Sequence, residues 1–299
     1  MLATLLIMQT DVFQLDKRQM RLAFDRAADS YDSVAILQRE VANRVLERLD
    51  YIKTSPQRIL DVGAGTGFCT RHLTQRYPQA RLEALDISHA MLKYARGQSS
   101  LWQRWRKRIG YTSGDAEQLP YADASIDMVF SNLTLQWCWN MDTVFGEFRR
   151  VLKPGGLLMF TTFGPDTLKE LRSAWSAADA FVHVNGFMDM HDIGDALIRG
   201  GFADPVMDAE HLTVTYGDVR QLMRDLKKLG AHNVTAGRPR GLTGKQRLLS
   251  MQRTYEKYRD NGVLPATHEI VYGHAWVSEE KQAARKTAPS INVPVTSIK

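Results

Sequence analysis

Between residues 16 and 32, apolar Met20, Phe24, Ala27, Ala28 and Tyr31 recur at helical spacing, while Lys17, Arg18, Arg21 and Arg26 fall mostly elsewhere on the wheel. This pattern predicts an amphipathic helix with a narrow apolar stripe that Tyr31 ends. A second helical pattern in Val34, Leu37, Val41, Val45 and Leu49 is broken at Ser55-Pro56, so two helices are expected before the first strand. From Arg58 the text alternates: the strand RILDVGAG, a helix ending near Tyr77-Pro78, the strand RLEALDIS and the helix MLKYARG. That is the rhythm of βαβ units on a parallel sheet. Further strands read at RIGYTSGD, at SIDMVFSN and at GGLLMFTTF after the turn Pro154-Gly155-Gly156, with FGEFRRVLK helical between the last two. Residues 164 to 202 read as helices, HDIGDALIRGGF among them, and HLTVTY and HEIVYGHAWV read as the last two strands. The expected fold is α/β: a Rossmann-like, doubly wound sheet of seven strands.

Between those last two strands lies an insertion of about 50 residues, helical at VRQLMRDLKKLG and RLLSMQRTYEKY, too long for a plain connection and expected to cap the site. The expected division is N-terminal helices covering the site at 1–55, a core at 56–216, the cap at 217–262, the last core strand at 263–277 and a disordered polar tail at 278–299. With 299 residues, 44% apolar and 24% charged, the chain is an ordinary globular protein, which excludes collagen-like and largely disordered classes. The apolar start MLATLLIM has no basic lead and is too short for a signal or a span, so a cytoplasmic protein without membrane contact is expected. Its two cysteines, Cys69 and Cys138, stand in no metal-ligand spacing; a reducing compartment and no metal are expected.

The strongest motif is Asp61-Val62-Gly63-Ala64-Gly65-Thr66-Gly67, directly after the strand start Ile59-Leu60. Glycines between a strand and a helix let backbone approach a nucleotide-like ligand closely. A GxGxxG dinucleotide fingerprint needs glycine at position 68, where Phe68 stands, so a pyrophosphate cradle is weakened without being eliminated. Asp61, just before the loop, suits a ligand with a cationic amino-acid end. Asp86, followed by Ile87, ends the second strand about 20 residues on and is placed for ribose hydroxyls. In Gly114-Asp115-Ala116-Glu117 after the third strand the Asp115 carboxylate suits an adenine amino group, and Asn132 with Leu133 after the fourth face the same crevice. Each acidic residue taken singly would serve equally well as a helix cap.

ILDVGAGTG, LDIS, GDAEQLP, SNLTLQW and LKPGG together resemble, in order over residues 58–163, the five motifs of class I S-adenosylmethionine-dependent methyltransferases. The resemblance implies that Gly63 and Gly65 pack on the methionine part, Asp86 holds the ribose, Asp115 and Ala116 meet the adenine, and Asn132 and Leu133 line the methyl side. The flanks DKRQMRLAFDRAADSYD, SNLTLQWCWN, TTFGPDTLKELR and KKLGAHNVTAGRPRGLTG resemble the malonyl-[acyl-carrier protein] O-methyltransferase family of biotin synthesis, over residues 16 to about 277. A related mitochondrial complex I assembly factor, associated with arginine hydroxylation, shares the FGPDTLKELR and LPATHEIVY passages. Those stretches do not choose between the two, and a methyltransferase for another small acid or for RNA is a further alternative.

A carboxylate of pKa about 4 is already a nucleophile at neutral pH, so no general base is required and positioning residues matter most. Candidates are Tyr31, Gln136 and Trp137, for each of which core packing or capping is the plain alternative; an arginine numbered in the 200s is expected to pair with the acceptor carboxylate. Residues 224–247 hold seven basic side chains against Asp225 alone, in a chain of net charge +6. Arg224, Lys227, Lys228, Arg238 and Arg240 are therefore expected to dock an acidic malonyl-acyl carrier protein, with a solvated helix face as the alternative. A second basic run, Arg104, Arg106, Lys107 and Arg108 with Trp102 and Trp105, invites a nucleic-acid reading. It leads into the wrong end of a strand for ligand binding, so no nucleic acid is expected.

Overall fold

The computed structural model describes residues 15–98, 108–231, 233, 241 and 243–279. Helix α1 (Lys17–Ala27) is capped by Asp16, whose carboxylate accepts from Gln19 N at 3.0 Å. The single helix expected over 16–32 stops there. Ser30 N and its hydroxyl both turn back to the Ala27 carbonyl, at 2.9 and 3.2 Å, and this local bonding competes with helix continuation. The chain restarts as α2 (Tyr31–Val34) and α3 (Ile36–Arg48), so three helices precede the sheet and Tyr31 opens a helix instead of ending one.

The core runs β1 (Arg58–Val62), α4 (Phe68–Arg76), β2 (Arg81–Asp86), α5 (His89–Gln98), β3 (Ile109–Ser113), β4 (Ile126–Ser131), α6 (Met141–Val151) and β5 (Leu152–Phe163). After it come α7 (Lys169–Ser176), α8 (Met190–Arg199), β6 (Phe202–Tyr216), α9 (Val219–Lys228), α10 (Lys245–Tyr255) and β7 (Leu264–Val277). The seven strands lie in the order β3-β2-β1-β4-β5-β7-β6, the first five parallel and β7 antiparallel to both neighbours. The strand order reverses beside β1, which opens a crevice at the carboxyl ends of β1 and β4.

Two strands differ from their sequence reading. Pro154-Gly155-Gly156 lies inside β5, where the β4 pairing jumps from Ile126↔Leu152 to Met128↔Leu157 and Gly155 takes φ +74°, so the punctuation makes a bulge and not a boundary. β6 begins at Phe202, nine residues before HLTVTY. It is the sheet's edge, where Pro205 needs no ladder partner on the open side and every second side chain is exposed, and this weakens the apolar signal.

Side chains of one sheet face, including Leu60, Val129, Leu158 and Phe160, bury Val144, Phe145 and Phe148 of α6 and Ile193 and Leu197 of α8. The other face, with Ile59, Leu82, Met128 and Phe130, takes Leu37, Val41 and Val45 of α3 and Leu73 of α4. Each such side chain withdrawn from water contributes roughly 1.5–3 kcal/mol. A third cluster joins Leu171 and Trp175 of α7, Leu222 of α9, and Met251 and Tyr255 of α10 to Leu264 and Ala266, the start of β7. No helix among the described residues is long and apolar enough to cross a membrane.

Candidate active site

The loop after β1 turns on Gly63, Gly65 and Gly67, with φ of +73°, +53° and +80°. Gly63 N and Ala64 N both donate to the Leu85 carbonyl, at 2.8 and 3.0 Å, drawing the loop across the end of β2. A β-carbon at Gly63 would lie 1.9 Å from Thr134 Oγ1, so glycine is required there by close approach as well as by conformation. At Gly65 a β-carbon would meet no protein atom within 4 Å. That space belongs to a cavity of about 690 Å³, counted to its mouth.

The cavity brings together Gly63, Gly65, Asp86, Ile87, Asp115, Ala116, Asn132 and Leu133 from four successive strand ends. Its open glycine wall leaves room for a ligand beside the Asp86 carboxylate. That carboxylate accepts from Gly65 N and Ser88 N, each at 2.8 Å, so its capping role and a ligand-facing position coexist. Burial pushes Asp86 up to about 6. Asp61 and Ala64 line a smaller adjoining hollow. Asp61 is 1% exposed and accepts from the Thr70 hydroxyl at 2.5 Å; burial raises its carboxyl to about 7.

The N-terminal helices form the roof. Met20, Phe24 and Tyr31 line the large cavity; the first two were legible in sequence only as an apolar helix stripe. Asp25 accepts from Ser88 Oγ at 2.7 Å and Ala90 N at 3.2 Å, and Asp32 accepts from Thr66 Oγ1 at 2.7 Å, fastening this roof to the loops after β2 and β1. Lys17 closes the far side, 2.5 Å from Asp115 and 2.7 Å from Glu117. Asp115 thus has one oxygen on Lys17, and its other accepts from Glu117 N at 3.0 Å. No local pattern could have paired Lys17 with a carboxylate 98 positions away.

Of the three candidate catalytic residues, Tyr31 lines both the cavity and the hollow, and its hydroxyl makes no hydrogen bond among the described residues. Burial raises the phenol, helped by the Asp86 and Asp32 carboxylates, so it stays protonated. Trp137 meets Phe24 edge-on at 5.2 Å between ring centroids. Gln136 faces elsewhere. Its Nε2 donates to the Leu133 carbonyl at 2.6 Å and its Oε1 accepts from Thr162 Oγ1 at 3.3 Å. Gln136 and Trp137 line a second chamber of about 1420 Å³, enclosed by α2, α3, α7, β6 and α9, and Trp137 borders both spaces. No lysine or arginine among the described residues lines that chamber, so the arginine expected to pair with the acceptor is not found there.

Arg224, Lys227 and Lys228 do converge, along an open groove of about 1670 Å³ that α1 completes with Arg26. Ser30 Oγ donates to the Lys228 carbonyl at 3.2 Å where the two elements meet. Arg238 and Arg240 lie outside the described residues, as do Trp102, Arg104, Trp105, Arg106, Lys107, the N-terminal MLATLLIM and residues 280–299. Arg108 precedes β3, at the sheet edge opposite Asp115. Asp166, His211 and Glu269 also approach one another within 4.8 Å, a convergence absent from the sequence spacing, but there Lys169 already supplies a cation 2.9 Å from Asp166. Cys69 and Cys138 are free thiols.

Residues 60–160 match the family model described as a methyltransferase domain. The chain is 52% identical over 282 residues to the malonyl-[acyl-carrier protein] O-methyltransferase of Gallionella capsiferriformans, covering 94% of each chain. It is 53% identical over 274 residues to the enzyme of that name from Nitrosospira multiformis, covering 88% of this chain and 89% of the relative. Among solved structures, the YcgJ protein of Bacillus subtilis superposes with a TM-score of 0.56 at 14% identity, over 80% of this chain and all 100% of that one. A Haemonchus contortus phosphoethanolamine N-methyltransferase 2 in complex with S-adenosyl-L-methionine gives 0.54 at 19% identity, over 85% of this chain and 57% of that one. At these identities the structures speak for the fold, a class I methyltransferase sheet. With about half its residues identical to such relatives over nearly its whole length, the chain belongs to the malonyl-[acyl-carrier protein] O-methyltransferase family.

Proposed function

We propose that this protein transfers a methyl group from S-adenosylmethionine to the free carboxylate of a malonyl group held as a thioester on acyl carrier protein, a step of biotin biosynthesis. The observation that carries the reading is the pair of cavities bordered by Trp137: one at the strand ends, lined by the glycine loop and Asp86, the other larger and mostly apolar. When bound, S-adenosylmethionine supplies an electrophilic methyl on a sulfonium centre. Asp86 would hold its ribose, Asp115 and Ala116 its adenine end, Gly63 and Gly65 the methionine part, with Asp61, Ala64 and Ile87 behind them and Asn132 and Leu133 on the methyl side.

A malonyl carboxylate is ionised at neutral pH, and an acid-base dyad is not needed. What the chain must supply is alignment and dryness; proximity and orientation alone are worth roughly 7–11 kcal/mol of such a barrier. Tyr31, kept protonated by burial, can donate to a carboxylate oxygen without competing as a nucleophile. Trp137 and Phe24 wall off water, and Gln136 braces the chamber floor through the Leu133 carbonyl. Helices α9 and α10, which share an apolar cluster with α7, would form the lid expected over 217–262. The groove of Arg224, Lys227 and Lys228, which Arg26 completes, would meet the acidic carrier. No observation favours the RNA-directed or arginine-hydroxylase-like alternatives.

The test is mass spectrometry of malonyl-carrier protein incubated with the enzyme and S-adenosylmethionine. One added methyl on the malonyl carrier, and none on an acetyl carrier that lacks the free carboxylate, is expected. An unchanged malonyl mass overturns the proposal.

A further inference from the structure

The chamber beyond Trp137 carries polar groups that methyl transfer does not use. His268, on β7, is 6% exposed and borders the chamber beside Phe163, whose ring centroid is 5.8 Å away. Its Nδ1 lies 3.0 Å from the Ala266 carbonyl oxygen, which can only accept. The proton therefore sits on Nδ1 and the lone pair on Nε2. Burial depresses the ring to about 4, so it is neutral in the physiological range, and Nε2 makes no hydrogen bond among the described residues. Two further chamber residues are unsatisfied: Gln38 Oε1 and Asn185 Oδ1 are buried without a partner.

A buried polar atom left unpaired costs about 1–3 kcal/mol, and two of them beside the open acceptor of His268 in one largely apolar chamber point to a ligand that pairs with them. A carboxylate has no hydrogen to give His268 Nε2, so the acyl end of the substrate does not answer this set. A secondary amide does, since its N–H donates and its carbonyl accepts. Asn and Gln side chains reverse their two ends by a half-turn, so Gln38 and Asn185 complement either face of such an amide. Thioester carriers present their acyl group on a pantetheine arm with two secondary amides.

We propose that His268, with Asn185 and Gln38, forms a subsite for the amides of the pantetheine arm, so that the chamber recognises the arm as well as the group to be methylated. The inference rests on the function proposed above, because it is that reading which puts a carrier-linked thioester in the chamber. His268 is on this account a specificity residue for the arm.

The test compares malonyl-pantetheine, which has the amides, with S-ethyl malonyl thioester, which lacks them, by kcat/KM in the wild type, His268→Leu and His268→Gln. The wild type should prefer malonyl-pantetheine, His268→Leu should cut that preference about tenfold, the order of one lost hydrogen bond, and His268→Gln should recover part of it by restoring an acceptor. An equal fall on both substrates in His268→Leu, or an unaltered preference, overturns the proposal. Should His268→Leu fail to fold, Asn185→Leu takes its place with the same outcomes. Calorimetry with unacylated pantetheine separates the two readings: wild-type binding weakened in the variant supports the subsite even if neither thioester is methylated. Absence of pantetheine binding together with equal turnover of both thioesters removes the subsite and leaves the methyl transfer standing.

Discussion

Asp86 holds the crevice together from both sides, since its oxygens accept from the loop after β1 and from its own loop after β2. Asp86→Ala should weaken S-adenosylmethionine binding by about 1–3 kcal/mol, the cost of unpaired polar groups in a buried site. Isothermal calorimetry reads this directly, and unchanged affinity would remove the ribose assignment. Asp61 makes a pH prediction. Burial raises its folded pKa to about 7, above the unfolded carboxylate value of about 4, so the folded protein holds a proton that the unfolded chain has already released. This contribution to stability is full below pH ~4 and is lost as pH rises through ~7. Asp61→Asn keeps an acceptor for Thr70 and cannot ionise. Urea titrations at pH 5 and pH 8 should show the variant losing less stability between them than the wild type does, by about 2–3 kcal/mol. Parallel curves would mean that Asp61 ionises freely in the fold.

At the level of elements, α1 and α9 are far apart in sequence and share a groove. Arg26 from one and Arg224, Lys227 and Lys228 from the other border it. Charge in such an open position acts on encounter rate and is screened over roughly 8 Å at physiological salt. Reversing Arg26, Lys227 and Lys228 to Glu should raise the Michaelis constant for malonyl-carrier protein, spare S-adenosylmethionine affinity and leave malonyl-pantetheine little affected. Added salt should narrow the gap to the wild type. Equal loss on carrier-bound and free substrates, or kinetics indifferent to salt, would make this groove a structural seam. The element boundaries show why sequence reading strays. Ala28 and Tyr31 continue the apolar stripe of α1, but Ser30 bonds back to the Ala27 carbonyl and resets the helix, and this moves Tyr31 to the start of α2. Likewise Pro154-Gly155 reads as an end, while the sheet absorbs it as a bulge because β4 pairs on both sides of it, at Leu152 and again from Leu157.

For the whole molecule, the cavity at the strand ends is bordered by helices that precede the sheet as well as by loops of the sheet, so ligand binding there should stabilise the global fold. S-adenosylmethionine at a hundred times its Kd should add about 2.7 kcal/mol to the unfolding free energy, provided the unfolded chain does not bind it. A urea midpoint that the cofactor does not move would show binding to a locally folded fragment instead. The alternation of strand and helix from Arg58, the glycine loop and the acidic strand ends were legible in the chain because each is a local requirement: a period of two or of 3.6, a positive φ, a carboxylate beside free N–H groups. These determined the sheet and the face on which Asp86, Asp115 and Asn132 gather. What they could not determine was pairing between distant segments. Lys17 on Asp115, Arg26 beside Lys227, and Gln38, Asn185 and His268 around one chamber come from parts of the chain whose spacing carries no period. They meet only because helices anchored on both faces of the sheet, and a cap packed on the start of β7, bring those parts to the same edge, and burial then sets the charge states at which Asp61 and His268 act.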